Sequence, residues 1–272
     1  MGTKQNHDFH ILEPSPWPIT LSFGLMFFVL GIALIFHNHH IGYIFSPLGF
    51  ITLILTLWCW WKDVIKEARV DKAHTEVVKH GLRIAVALFI LSEIAFFFTF
   101  FWSFFRAWLD PVMLLRDFWP EGQSSWPPKG IHTFDPWDIP FINTLILLLS
   151  GTTVTWAHYA LEDNKRDELV TALGLSVCLG VVFTLFQAYE YHHAHFKLID
   201  GIYPSNFYLA TGFHGLHVIV GTIFLAVCFF RARLGHFDKG NAHLGVEFAA
   251  WYWHFVDVVW LFLFVFVYVL AR

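Results

Sequence analysis

The chain has 272 residues, of which 57% are hydrophobic, 19% aromatic and only 14% charged. Soluble domains carry about 25% charged residues, so most of this surface faces something other than water; the mean hydropathy of +0.56 agrees. A net charge of −4 gives no basic field for a nucleic-acid partner, and Cys59, Cys178 and Cys228, each alone inside an apolar run, form no disulfide framework and read as packed hydrophobes.

The polar tail 1–17 has no apolar h-region before a small-residue cleavage site, so no cleaved signal peptide is expected and the first span serves as the insertion signal. Spanning a bilayer takes about 20 mostly apolar residues. Seven stretches qualify, at approximately 18–36, 41–61, 84–105, 139–161, 169–189, 206–230 and 248–271. None alternates as a barrel strand does, and backbone satisfaction in lipid then leaves helices. The expected fold is an all-α polytopic membrane protein. It divides into the tail, helices 1–2 (18–61), a charged loop with helix extensions (62–83), and a five-helix bundle (84–272) with an outer loop at 106–138. Pro111, Pro120, Pro127, Pro128 and Pro136 exclude a long helix from that loop. With the N-terminus inside, twelve Lys and Arg fall in inner segments and five in outer ones, which predicts an inside N-terminus and an outside C-terminus.

Ionisable groups inside spans are costly and informative. Glu93 lies in the middle of span 3, His217 in span 6 with His214 one turn away, and Asp257 in span 7 with His254 a turn from it. Glu93, His217 and Asp257 fall within about 4 Å of one depth, counting about 1.5 Å per residue, and are expected to meet inside the bundle. They read either as a proton relay or ion site, or as a hydrogen-bonded cluster locking helices 3, 6 and 7 together. The seventeen histidines include loop groups at His37, His39 and His40 and at His192, His193 and His195, without metal-ligand spacing inside a helix. No metal on this chain is expected. Two basic, aromatic-rich collars close helices on the inner side. One comprises Trp58, Trp60, Trp61, Lys62, Lys66 and Glu67, with His74 following; the other comprises Arg231, Arg233, His236 and His243, with Arg83 at the start of span 3. Such collars suit anionic lipid head groups, or serve as ordinary snorkelling anchors.

Several ordered segments carry a family resemblance: Pro14-Ser15-Pro16-Trp17-Pro18, Trp60-Trp61-Lys62-Asp63-Val64, Ser92-Glu93-Ile94, Phe101-Trp102-Ser103-Phe104, Trp126-Pro127-Pro128-Lys129-Gly130-Ile131, Thr155-Trp156-Ala157-His158, Gln187-Ala188-Tyr189-Glu190-Tyr191, the run from Ala210 through Gly212, His214 and His217 to Val218, and the run from Ala250 through His254 and Asp257 to Phe262. Together they span nearly the whole chain, which resembles subunit III of the haem–copper cytochrome c oxidases. The resemblance implies a subunit with no cofactor of its own. It would pack directly on the catalytic subunit I, alongside subunit II, with haem a and copper held by those partners and electrons arriving from cytochrome c through the complex. It implies helices 1–2 splayed from helices 3–7 by a V-shaped cleft filled with phospholipids, bound through the collar residues Trp60, Trp61, Lys62, Lys66, Glu67, His74, Arg83, Arg231, His236 and His243. The implied roles are stabilising subunit I, helping oxygen reach it and sustaining proton uptake. Glu93 matches the family's carbodiimide-reactive carboxylate, and His7 and His10 match a tail near the proton entry. The implied location is the bacterial cell inner membrane or, alternatively, the mitochondrial inner membrane. The chain departs from the pattern at Lys62 and Lys66, where relatives often have arginine; a lysine attracts phosphate as a point charge without a bidentate fork. A transporter using Glu93 and Asp257, or a haem-bearing anchor subunit, would instead show ion flux or a visible chromophore in the isolated chain.

Overall fold

A computed structural model describes Phe9 and residues 14–109, 126–128, 130–237 and 243–270. His7 and His10 lie outside the described residues. The described residues form seven helices long and apolar enough to cross a membrane, and no strand. We number them α1 (Trp17–Phe36), α2 (Gly42–Arg69), α3 (Glu76–Leu109), α4 (Ile139–Glu162), α5 (Arg166–His192), α6 (Ile202–Arg233) and α7 (Leu244–Phe262), the last continuing as a π-helical segment, Leu263–Leu270. The helices exceed the apolar spans that announced them. α2 runs to Arg69 and α3 begins at Glu76, so charged turns continue the backbone hydrogen bonding beyond the apolar stretch.

The chain divides into two compact units, Met1–Leu82 and Arg83–Arg272. In the first, α1 and α2 meet along a seam of small residues. The buried positions are Gly24 and Gly31 on α1, and Gly42, Gly49 and Thr56 on α2, each seven residues from the next on its helix. A Cβ on Gly42 would stand 2.6 Å from the carbonyl oxygen of Gly31, and side chains on Gly31 or Gly49 would collide with the facing backbone more closely still. With no hydrophobic drive between helices in lipid, such close backbone approach supplies the packing. At one end of the pair the indole N–H of Trp17 donates to Asp63 Oδ2 at 2.8 Å.

In the second unit α4 and α5 form an antiparallel hairpin through a tight turn in which Asn164 takes φ +57°, a conformation asparagine tolerates. The Asp163 carboxylate bonds the Lys165 ammonium at 3.1 Å and, together with Glu168, holds its pKa above the usual lysine value. Thr153 and Ser176 hydroxyls meet at 2.7 Å across the hairpin. α6 and α7 complete the bundle. Two tryptophans of α7 form its centre: Trp253 and Trp260 are fully buried, and their indole N–H groups donate to Ser150 Oγ (2.8 Å) and Thr144 Oγ1 (2.9 Å) of α4. Burying an indole requires such an acceptor. It also requires room, which Gly180 and Gly221 leave: a Cβ there would stand 2.9 and 2.8 Å from the Trp253 ring.

α3 packs on α6 and α7 through a ladder with a period of four. Phe89 faces Tyr252, Phe97 faces Phe255, Phe101 faces Phe262 and Phe105 faces Phe266, with ring centroids 5.0–6.4 Å apart. Glu93 occupies the remaining rung. Residues four apart share a helix face, so Glu93 points where its phenylalanine neighbours in the ladder point, into the bundle.

Candidate functional site

On that rung Glu93 Oε2 lies 2.9 Å from His217 Nε2. The other imidazole nitrogen, Nδ1, lies 2.6 Å from the Phe213 carbonyl of its own helix. A carbonyl only accepts, so Nδ1 carries a hydrogen. The Glu93–His217 contact then holds one shared proton, either on the carboxyl and donated to a neutral imidazole, or on Nε2 and donated to a carboxylate. Phe96, Phe97, Tyr252 and Phe255 ring the imidazole at 5.0–6.3 Å. Both His217 nitrogens are thus occupied, and its immediate surroundings are aromatic.

Asp257 does not join this pair. Phe255 faces His217, and Asp257, two residues further along α7, is rotated by about 200° at 3.6 residues per turn. Its carboxylate presses instead against Gly151 of α4, where any side chain would collide with Oδ2. Oδ2 lies 3.5 Å from His254 Nδ1, and His254 Nε2 lies 3.3 Å from Thr155 Oγ1 of α4. The expected meeting of Glu93, His217 and Asp257 is therefore corrected. The helix faces differ, and Asp257 lies towards α4 rather than towards α3 and α6. His214 stands apart from both groups. It is fully buried against Trp260 and Phe183, at 5.1 and 5.7 Å, with Nε2 3.2 Å from the Val256 carbonyl.

A further buried polar group escaped the sequence reading. Glu190 of α5 is 2% exposed; its Oε1 accepts from Tyr268 Oη at 2.7 Å and from Gln187 Nε2 at 3.4 Å, while Oε2 has no partner. The apolar stretch of span 5 ends at residue 189, which put Glu190 just outside it; α5 continues to His192 and carries the carboxyl inward. The signal was the spacing of Gln187 and Glu190, one turn apart, next to the end of an apolar run.

The collar residues are spread over the two units. In the first, Trp58 and Trp61 are exposed, Lys62 and Lys66 are exposed and Trp60, Glu67 and His74 are partly covered. In the second, the Arg231 guanidinium lies 4.7 Å from the centre of the Phe237 ring, and its Nη1 stands 2.8 Å from where a Cβ on Gly245 would be. His236 and His243 both follow this stacked arginine in sequence, the backbone N–H of His236 donating to the Arg231 carbonyl at 3.0 Å, and His243 precedes the first turn of α7. Arg83 grips Glu247 with two bonds, at 2.9 and 3.0 Å, the fork geometry that distinguishes arginine from lysine. Among the described residues no group of three or more His, Cys, Asp or Glu is arranged to hold a metal ion.

Comparison with known proteins resolves what kind of assembly this bundle serves. The family model for cytochrome c oxidase subunit III matches residues 7–272. A probable cytochrome c oxidase subunit 3 from Rickettsia bellii (strain RML369-C) is 62% identical over 268 residues, covering 98% of this chain and 97% of the relative. Cytochrome c oxidase subunit 3 of Chondrus crispus is 52% identical over 264 residues, covering 97% and 94%, and that of Dugong dugon is 49% identical over 266 residues, covering 98% of each. A match of this length and identity leaves one assignment: the chain belongs to the cytochrome c oxidase subunit III family.

Proposed function

We propose that this chain is the non-redox brace of its oxidase, packing on the catalytic subunit, holding phospholipid at its collars and sustaining oxygen and proton delivery without itself carrying electrons. The observation that supports it is the closure of the Glu93–His217 pair: each imidazole nitrogen has a partner and aromatic rings surround the contact, as expected of a clamp between α3 and α6 rather than of one station in a conducting chain. The haems and copper belong to the partner subunits in this reading. Phospholipid phosphate is held at Arg231, whose guanidinium lies over Phe237 and beside Gly245, with His236 and His243 nearby, and at Lys62 and Lys66 beside exposed Trp61. Each basic residue near an anionic head group contributes about 1 kcal/mol.

The test is a comparison of the complex with and without this chain. The isolated chain should show no visible haem absorption and no oxygen uptake. The complex lacking it should begin turnover near the normal rate and lose activity faster. Replacing Lys66 and Arg231 with alanine should release tightly held phospholipid, read by native mass spectrometry. A chromophore on the isolated chain, or ion flux through it in vesicles, overturns the reading.

A further inference from the structure

Polar side chains inside the bundle mostly find a partner on their own helix. Thr144, Ser150, Ser176 and Thr222 each donate to a carbonyl three or four residues back. Asn206, the fifth residue of α6, turns its amide to the Ile202 carbonyl at 2.9 Å. Asn143 holds the same place in α4 and behaves differently. It is fully buried, and neither its Nδ2 nor its Oδ1 has a hydrogen-bond partner among the described residues. The same is true of Gln187 Oε1 and Glu190 Oε2, both sealed from the surface.

These four atoms belong to one region of the bundle. Thr153 of α4 and Ser176 of α5 touch at 2.7 Å and fix the register of the hairpin. Asn143 lies ten residues from Thr153 and Gln187 eleven from Ser176, both towards the open end of the hairpin. At about 1.5 Å per residue the two stand level to within about 2 Å. Gln187 and Glu190 lie whole turns beyond Ser176, on the face that meets α4, and Asn143 lies two turns before Ser150, on the face that receives Trp253. Trp260 marks the centre of the region. Its N–H bonds Thr144, next to Asn143; its ring lies 4.9 Å from Phe183, one turn before Gln187, and 5.8 Å from Tyr268, which donates to Glu190.

The unmet groups prescribe the ligand. A carboxyl oxygen and two amide carbonyls ask for donors, and the Asn143 nitrogen, with two hydrogens, asks for an acceptor. Exchanging the oxygen and nitrogen of the Asn143 amide leaves this inventory unchanged, since both are unmet. A cation would answer the oxygens but not the N–H groups, and an apolar group would answer neither. Water donates twice and also accepts, so it meets Glu190 Oε2 in either protonation state. We infer that Asn143, Gln187 and Glu190 hold at least one ordered internal water, which joins α4 to α5 beside Tyr268. Buried waters make about three hydrogen bonds to polar groups that are otherwise unsatisfied, and this set supplies them.

The experiment is a density map of the chain in its intact, purified assembly, at a resolution that shows ordered water. A peak should lie within about 3.2 Å of Glu190 Oε2 and of an Asn143 amide atom. Asn143→Leu, which puts an apolar side chain of similar size in its place, should abolish that peak and leave the Tyr268–Glu190 hydrogen bond intact. A second map, from protein equilibrated with thallium(I) in place of sodium and potassium, should show no anomalous scattering at the site. A thallium peak there would make the ligand a cation and overturn the assignment. Direct hydrogen bonds from Asn143 to Gln187 or Glu190, with no density between them, would overturn it as well. If the leucine variant does not assemble, the two maps of the unmodified protein decide the question.

Discussion

His217 Nε2 of α6 and Glu93 Oε2 of α3 stand 2.9 Å apart on the one rung of the ladder where α3 offers a carboxyl in place of a phenylalanine. The pair links helices that the rings alone would hold only by shape. Because His217 Nδ1 is committed to the Phe213 carbonyl, the shared proton between the two side chains is the quantity that matters.

Glu93→Gln should preserve the link, since the glutamine amide can donate to a neutral His217. Glu93→Ala removes it and leaves a largely buried ring nitrogen unsatisfied, which costs about 1–3 kcal/mol. The expectation is near-normal oxygen reduction and subunit retention for the glutamine variant, with weakened detergent resistance for the alanine variant. Oxygen uptake and proton ejection in vesicles, measured beside subunit content, check this. A fully assembled glutamine variant without oxygen reduction would make Glu93 an obligatory proton carrier.

Trp253 sets a second expectation. Gly221→Ala would place a methyl 2.8 Å from its ring, whereas a Cβ on Gly215, six residues earlier on α6, would meet nothing within 4 Å. Overpacking costs about 1–3 kcal/mol, and replacing a helical glycine in open space gains up to about 1 kcal/mol. The two substitutions should therefore shift the thermal midpoint in opposite directions. Equal effects would show that Trp253 yields easily.

The same logic applies to α1 and α2 through backbone contact. Gly31→Leu or Gly49→Leu should separate the hairpin, because the colliding atoms belong to the facing backbone and cannot rotate away. Faster proteolysis at the α1–α2 connection, around 37–41, is the measurement. An unchanged cleavage rate would mean that the seam is not what holds the pair.

Tyr268 supplies the shortest hydrogen bond to Glu190, at 2.7 Å. Tyr268→Phe should destabilise the bundle by about 1–3 kcal/mol through the buried carboxyl left behind. Combining it with Glu190→Gln should cost less than the sum of the two, as expected for residues in one network. Additive losses in a double-mutant cycle would indicate that the two side chains act independently.

The seven spans, their order and the absence of alternating strands could be read from composition and run length, because lipid forces every backbone group to be satisfied within its own segment. The positions of Glu93, His217 and Asp257 along their helices were legible for a related reason: rise per residue is constant along a helix. What run length cannot convey is rotation. Glu93 and Asp257 both fall near the middle of their apolar spans, yet one faces α6 and the other α4, and the packing of Trp253 and Trp260 against Gly180, Gly221, Ser150 and Thr144 sets how α7 is turned. Glu190 was overlooked because α5 outlasts its apolar run, and the glycine seam of α1 and α2 because small residues carry little hydropathy. Sequence alone thus determined which segments are long and apolar enough to cross and where along each its polar groups lie, since both follow from one-dimensional distances. The tertiary structure decided which of those groups meet, since that depends on the orientation of each helix about its own axis.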